Sequence, residues 1–382
     1  MEQVEQVLVL HHSLNSVGGG ERVCLHLLKL LCDHLHLKVF LGTVEPTDWR
    51  HVEEITGIVI QNKPVTLSLL PFKLRAFGIY HRVFTGLHTW LLKRKVRLAI
   101  NTHGDVMAGI SDIVYLHFPV LAYVVKGWLK PFLKYYRSTF WRLYFEPYRK
   151  MQEKLIKKSF LDARLIITNS RFSRYFIREV VGRDAVVVYP PVELEEYLRL
   201  REVRDREDAV IYIARFSLEK NNHVLPLIAR ELPHIKFYVV GSVAGKGRTY
   251  YNYVRRLCEK MGIRNIFFYP NAPHRVKLQL LARSKVYLHL MITEHFGIAP
   301  VEAMAAGLVP VVSMLSGTWT DVCDFGRYGL GYRQLTARDI VPLIEHALSR
   351  WGRLQAPRWH LERFSTDMFY RKMRKIIEHF LS

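Results

Sequence analysis

A chain of 382 residues is longer than one ordinary hydrophobic core and fits two domains of about 150–200 residues each. Its 49% hydrophobic and 24% charged residues are those of a folded globular protein and exclude an intrinsically disordered chain. The formal net charge of +22 stands out, and it points to a polyanionic partner: nucleic acid, an anionic membrane surface or a phosphorylated substrate.

Cys24, Cys32, Cys258 and Cys323 form no CxxC pair and share no His/Cys metal spacing, so reduced thiols of a cytosolic protein are the expectation. Val7-Leu8-Val9-Leu10 is a short apolar strand, not the apolar region of a signal peptide. No apolar run approaches the ~18–20 residues that span a bilayer, so a soluble or peripheral protein is expected.

After that strand come a loop, His11 to Gly20, and a helix over about 21–34 with Val23, Leu27, Leu30 and Leu31 along one side. Strand, glycine-rich loop and helix form the phosphate-binding arrangement of doubly wound α/β domains. Gly18-Gly19-Gly20 lacks the GxGxxG spacing, which excludes the standard dinucleotide fingerprint. Three glycines before a helix N-terminus still let a phosphate or an acceptor come very close, a flexible turn being the alternative.

Residues 38–41 give a second strand. From Ile55 to Gly104 there is no Asp or Glu, while Lys63, Lys73, Arg75, Arg82, Lys93, Arg94, Lys95 and Arg97 alternate with aliphatic and aromatic residues. That composition predicts one or two amphipathic helices over 63–97 whose basic face suits an anionic interface; ordinary core-facing helices with a basic solvent side are the alternative. Strands at 98–101 and 113–116 follow, and the second delivers His117 at its carboxyl end, where open α/β sheets bind ligands. Residues 123–150 are again basic and aromatic, with Trp128, Phe140 and Trp141 among Lys126, Lys130 and Arg142, and Glu146 as the one acid. Such a mixture suits the level where lipid headgroups meet acyl chains. Stacking of single-stranded bases is the competing use, but no RNP, KH or zinc signature accompanies it.

A strand at 165–169, a helix capped by Ser170 and Ser173, a strand at 186–188 and Tyr189-Pro190-Pro191-Val192 close the first half. The charged run 193–208 reads as a linker. Strands at 210–214, 237–241, 266–268 and 286–290 then alternate with helices, which predicts a parallel sheet covered on both faces. Arg215-Phe216-Ser217-Leu218-Glu219-Lys220-Asn221 fills the first strand-to-helix loop. Two cations there make a natural diphosphate clamp, a solvated charge pair being the alternative.

Glu294 to Val312 reads as a loop entering a short helix and leaving through a strand. Gly297 lets the backbone approach a ligand, Pro300 suits the first helical turn, and Gly307 ends the helix. Glu294 in the loop and Glu302 in the helix sit at different depths, with the free N–H groups of the first turn between them. That is a cradle for a molecule with a phosphate at one point and hydroxyls on both sides; a plain loop–helix–strand unit with both acids solvated is the alternative. The tail, 361–380, reads as a basic amphipathic helix able to pack back across both domains.

Glu294-x7-Glu302, with His295-Phe296-Gly297-Ile298 inside it, resembles the Glu-x7-Glu motif of the retaining family 4 glycosyltransferases, which have the GT-B fold. Arg215 and Lys220 resemble that family's Arg…Lys pair, Gly18 to Gly20 its N-terminal glycine loop, and Tyr189-Pro190-Pro191-Val192 its interdomain turn, in the family's order over nearly the whole chain. Gly18-Gly19-Gly20-Glu21-Arg22-Val23, Tyr115-x-His117-Phe118-Pro119, Glu219-Lys220-Asn221 and Glu294-His295-Phe296-Gly297-Ile298 are similar to one branch, the α-1,2-mannosyltransferases that extend dolichol-linked oligosaccharides for protein glycosylation. Two departures stand out: the sequence shows no N-terminal membrane anchor of the kind that branch has, and Ser316-Gly317-Thr318-Trp319 stands where the family usually shows a Gly-Gly pair.

The resemblance implies an α/β protein of GT-B architecture, two doubly wound Rossmann-like domains whose parallel sheets face a central cleft. Residues 1–192 would bind the acceptor, 193–208 would link, 209–360 would bind the nucleotide-sugar, and the helix 361–382 would cross back to the first domain. Arg215 and Lys220 would hold the donor diphosphate and neutralise its growing charge. Glu294 would bind donor sugar hydroxyls, the N–H groups near Phe296, Gly297, Ile298 and Ala299 would help hold sugar and phosphate, and Glu302 would take the ribose hydroxyls. His117 would contact the donor sugar near its anomeric carbon, and Gly18, Gly19 and Gly20 would line the acceptor side. No metal or other cofactor is expected, since Arg, Lys and helix N-termini do the neutralising. The implied activity is retaining, metal-independent transfer of a sugar, mannose from GDP-mannose, to a lipid-linked or glycan acceptor. It would take place at the cytoplasmic face of a membrane, held through segments 63–97 and 123–150. A same-fold enzyme using a UDP-sugar or a soluble acceptor is the alternative, and a non-catalytic basic module binding membrane or nucleic acid is the alternative of another class.

Overall fold

Apolar runs buried on both faces of parallel sheets build the framework. The computed structural model describes residues 5–73, 80, 85–103, 111–132 and 138–382, and the chain divides into two units, Met1–Pro191 with Thr366–Ser382, and Val192–Ser365. No helix among the described residues is long and apolar enough to cross a membrane. All four cysteines are free and buried.

In the first unit seven parallel strands, β1 (Gln6–Leu10), β2 (Lys38–Thr43), β3 (Val65–Ser68), β4 (Leu98–Asn101), β5 (Ile113–Leu116), β6 (Leu165–Thr168) and β7 (Val186–Val187), lie in the order β3-β2-β1-β4-β5-β6-β7. β1 lies between β2 and β4, with Val7 opposite Val39 on one side and Leu98 on the other, and Val7 to Leu10 are wholly buried. The helix Gly19–Lys29 follows and is prolonged by a π-helical turn, Leu30–His34. Val23, Leu27, Leu30 and Leu31 enter the core together with Phe369, Met373 and Ile377 of the last helix, Thr366–Leu381. Tyr370 of that helix places its Oη 3.0 Å from His26 Nδ1. Burial holds His26 neutral, its pKa pushed down to about 3 with Arg22 and Lys29 adding to the shift.

Two segments differ from the sequence expectation. Helices were expected over 63–97, but Val65–Ser68 joins the sheet as the strand beside β2, and the described helix is the short Gly86–Leu92 with a 3₁₀ turn, Lys93–Lys95. Val65-Thr66-Leu67-Ser68 alternates apolar and polar residues between Lys63 and Lys73, and the charge pattern hid it. Residues 74–79 and 81–84, with Arg75 and Arg82, lie outside the described residues, as do 133–137 of the second basic segment. The rest of that segment forms helix Leu121–Val125, a 3₁₀ stretch Gly127–Phe132 and the long helix Thr139–Asp162, whose cap Ser138 accepts from Trp141 N.

The second unit holds β8 (Ala209–Ile213), β9 (Lys236–Gly241), β10 (Ile266–Pro270), β11 (Val286–Leu288), β12 (Val309–Ser313) and β13 (Leu330–Tyr332), all parallel, in the order β10-β9-β8-β11-β12-β13. The run 193–208 is packed into this unit and is no bare connector. It forms the helix Glu195–Leu200, and the buried Arg206 guanidinium donates to the carbonyls of Leu281, Ser284 and Ala306. The charge of the run does not bar this packing, since a guanidinium can be buried where several carbonyls meet it. In each sheet the strand order reverses beside the first strand, between β1 and β4 and between β8 and β11. Doubly wound sheets bind ligands at the carboxyl ends of such a pair.

Candidate active site

In the second unit the reversal gathers the charged residues. β8 leads into Arg215 and the 3₁₀ turn Leu218–Lys220, whose Lys220 carbonyl accepts from Tyr212 Oη at 2.5 Å. β11 runs on through His289 to Glu294. Lys220 Nζ donates to Glu294 Oε2 at 2.7 Å and lies 3.1 Å from Met291 Sδ. His289, buried, places Nε2 3.1 Å from the same carboxylate oxygen and Nδ1 3.2 Å from Tyr287 Oη.

Burial works against the Glu294 carboxylate, yet Lys220 and His289 outweigh it and hold its pKa well below the usual range. Burial also pushes the His289 pKa down, more than Glu294 raises it. A neutral His289 therefore donates Nε2–H to an anionic Glu294 and accepts at Nδ1 from Tyr287, which fixes tautomer and ring orientation.

Glu302 lies apart in its own pair. Its Oε2 accepts from Lys277 Nζ at 3.1 Å, and Lys277 also donates to Tyr197 Oη at 2.8 Å. Glu302 belongs to the helix Ile298–Ala305, whose first turn separates it from Glu294, with Gly297 at the N-cap at φ 94°. A Cβ on Gly297 would lie 2.7 Å from Thr318 Oγ1, so both backbone angle and space call for glycine there. Thr318 Oγ1 donates to the Phe296 carbonyl at 2.7 Å, and the Phe296 ring is buried edge-on against Phe364. Ile298 and Ala299, half-buried, begin the helix. Arg215 stands outside the Lys220–Glu294–His289 network: its guanidinium is exposed and reaches Glu219 at 3.5 Å.

In the first unit Gly18 caps the helix Gly19–Lys29, and Glu21 ties the loop down by accepting from Gly18 N at 2.8 Å and Ser16 Oγ at 2.5 Å. His117, just past β5, sets Nε2 3.1 Å from the Thr102 carbonyl. A Cβ on Gly20 would lie 3.2 Å from that same Nε2, so the glycine loop and His117 form one surface. His11 is buried beside Glu21, its Nε2 3.9 Å from Glu21 Oε1. Burial disfavours the imidazolium, but Cys24 and Glu21 outweigh it and lift the pKa of His11 to about 9.

Of the residues named from sequence, the structure joins Lys220 to Glu294 and sets Glu302, Arg215 and His117 in separate surroundings; His289, Lys277 and Tyr197, which join these groups, were not named. The sequence reads His289 inside the strand 286–290, but β11 ends at Leu288 and His289 follows it, as His117 follows β5. Lys277 and Tyr197 gave no signal, since each reaches Glu302 only through the fold.

Two doubly wound parallel sheets with charged residues at the strand reversal define the GT-B class of fold. Cyanobacterial Alr3699/HepE from Anabaena, solved with UDP and glucose, superposes at a TM-score of 0.68 with 14% identity, covering 98% of this chain and 100% of the other. Sucrose-phosphate synthase from Thermosynechococcus elongatus does so at 0.70 with 15% identity and 98% of each chain. That likeness is one of fold. Residues 195–356 match the family "Glycosyl transferases group 1", so the second unit carries a glycosyltransferase group 1 domain. Curated relatives are named GDP-Man:Man(3)GlcNAc(2)-PP-Dol alpha-1,2-mannosyltransferase: one from Dictyostelium discoideum is 28% identical over 243 residues, 56% of this chain and 47% of its own. One from Homo sapiens is 26% identical over 227 residues, 54% of this chain and 46% of its own. The chain thus spans about half the length of the curated relatives it matches.

Proposed function

We propose that this chain is a retaining glycosyltransferase moving mannose from GDP-mannose onto a lipid-linked oligosaccharide at the cytoplasmic face of a membrane. The observation that carries the reading is the Lys220–Glu294–His289 network at the strand reversal of a glycosyltransferase group 1 domain. The names of the curated relatives supply donor and acceptor.

In this reading Lys220 and Arg215 neutralise the departing diphosphate electrostatically, with no metal taking that task. Glu294, kept anionic and oriented by Lys220 and His289, accepts from donor sugar hydroxyls. The first-turn N–H groups of Ile298–Ala305 face sugar and phosphate, and Glu302 accepts from the ribose. His117 and Gly18 to Gly20 take the roles their family resemblance implies, near the anomeric carbon and on the acceptor side.

The test is GDP release by the purified chain supplied with GDP-mannose and a polyprenyl-diphosphate oligosaccharide, with the new linkage assigned by NMR. Acceptor-dependent release and an α-linked mannose are expected; release from UDP-sugars instead, or no transfer at all, overturns the reading.

Membrane attachment makes a separate prediction. Phe72, Leu91, Trp128, Phe140, Trp141 and Leu143 of the first unit are exposed among basic residues, a pairing that suits an anionic interface. Sedimentation with vesicles should rise with the anionic lipid fraction and fall in high salt. Phe140→Ser with Leu143→Ser should weaken partitioning by about tenfold or more, since each side chain carries ~1.5–3 kcal/mol of apolar burial. Partitioning indifferent to lipid charge would rule this attachment out.

A further inference from the structure

We propose that the first unit holds a site for a first-row divalent transition-metal ion such as zinc, formed by His11, His12 and His103. This departs from the metal-free expectation of the sequence and does not depend on the sugar-transfer reading. Because β1 and β4 are neighbours at the strand reversal, their carboxyl ends bring His11 and His12 together with His103, which is 91 residues from His12. One ligand atom from each imidazole lies within 4.8 Å of the other two. His12 Nδ1 and His103 Nδ1 are 2.9 Å apart. Zinc–nitrogen bonds of about 2.1 Å in a tetrahedron place ligand atoms roughly 3.4 Å apart, so side-chain shifts of about an ångström bring three nitrogens to one ion.

His11 shows how the site is prepared. Thr102 Oγ1 donates to the Leu10 carbonyl at 2.8 Å, so the His11 Nδ1 found 2.9 Å from that hydroxyl must be the donor to it. In the neutral imidazole, the form that binds a metal, the lone pair therefore lies on Nε2, which is fully buried and makes no hydrogen bond. Burying such an atom without a partner costs free energy that a metal bond would recover. A second nitrogen held by a fixed oxygen is also how metal-binding imidazoles are oriented.

The charge agrees. Glu21 Oε1, 3.9 Å from His11 Nε2, favours positive charge at that nitrogen, whether a proton or an ion that displaces it. Three imidazoles with no carboxylate among the ligands select zinc, nickel, cobalt or copper over magnesium and calcium. They leave a fourth position for water or an anionic oxygen.

The experiment uses the full chain, stripped with chelator and dialysed against zinc or cobalt(II). Wild type should bind one ion per chain, show visible ligand-field bands with cobalt, and melt at a temperature that rises with free zinc. His12→Gln and His103→Gln should each weaken binding at least about tenfold, the low end of the loss for disturbing a metal's coordination environment. His379→Gln, on an exposed histidine of the last helix, should bind as wild type does. Metal-free melting curves show whether each variant folds. Wild type without a zinc-dependent shift, or Gln variants that fold and bind one ion unchanged, overturns the site. Should both Gln variants fail to fold, the wild-type cobalt spectrum decides: nitrogen-rich bands support the site, and the spectrum of hydrated cobalt refutes it.

Discussion

Glu294→Ala should lower kcat/KM for sugar transfer at least ~10²-fold, the scale for losing a group that stabilises a transition state. The loss has two parts. An acceptor proposed for the sugar hydroxyls disappears, and Lys220 and His289, which both donate to the same oxygen, lose the group that orients them. Lys220→Ala should cost as much, because it removes a cation proposed for the diphosphate and leaves Glu294 on His289 alone. Since the two residues share one hydrogen bond, the double variant should be far less impaired than the product of the singles. Steady-state kinetics with donor and acceptor varied separately, beside melting curves for all three variants, measure this. Near-normal turnover in either single variant would remove Glu294 and Lys220 from the chemistry.

The sequence disclosed those features in which local pattern and final environment agree. β1, β5 and β12 are continuous apolar runs, and parallel strands buried on both faces need nothing more. Glu294 and Glu302 were legible because glycine, proline and glycine at fixed offsets bracket a short helix that keeps them apart. What escaped was set by tertiary partners. β3 becomes a strand because β2 offers it an edge, although it lies in a stretch of sequence with cations and no acids. The helix Glu195–Leu200 lay hidden in a charged run, since the carbonyls that receive Arg206 belong to distant segments. His289 looked like one more apolar-strand residue, and only the fold sets it against Glu294. The three-histidine cluster joins residues from two strand ends, which no spacing rule along the chain would pair.

Gly317→Ala should be comparably damaging although residue 317 offers a ligand no side chain. Gly317 N donates to the Glu294 carbonyl at 2.7 Å, and a Cβ there would be driven into the His295 carbonyl oxygen and stand 3.1 Å from Phe296 N. These contacts are with backbone, so no flexible side chain can yield, and the 294–297 loop must move away from the 316–318 turn. The preceding position needs no glycine. Ser316 is buried, its hydroxyl donates to the Ser313 carbonyl at 2.6 Å and accepts from Trp319 N at 3.1 Å, so this side chain closes the turn itself. Only the second position lacks room.

Displacing the loop shifts the Glu294 carboxylate and the first turn behind Gly297 together, and about 1 Å of misplacement at a reacting centre can cost 10²-fold. Gly317→Ala is therefore expected to reduce kcat/KM by about 10²-fold, to weaken donor binding, and to lower stability by ~1–3 kcal/mol from overpacking. Gly352→Ala, where a Cβ meets nothing within 4 Å, serves as the control and should leave all three unchanged. Urea melts, donor titration and steady-state kinetics on both variants separate the effects. A Gly317→Ala enzyme with wild-type kinetics and stability would show that the room at residue 317 does not set the position of the Glu294 loop.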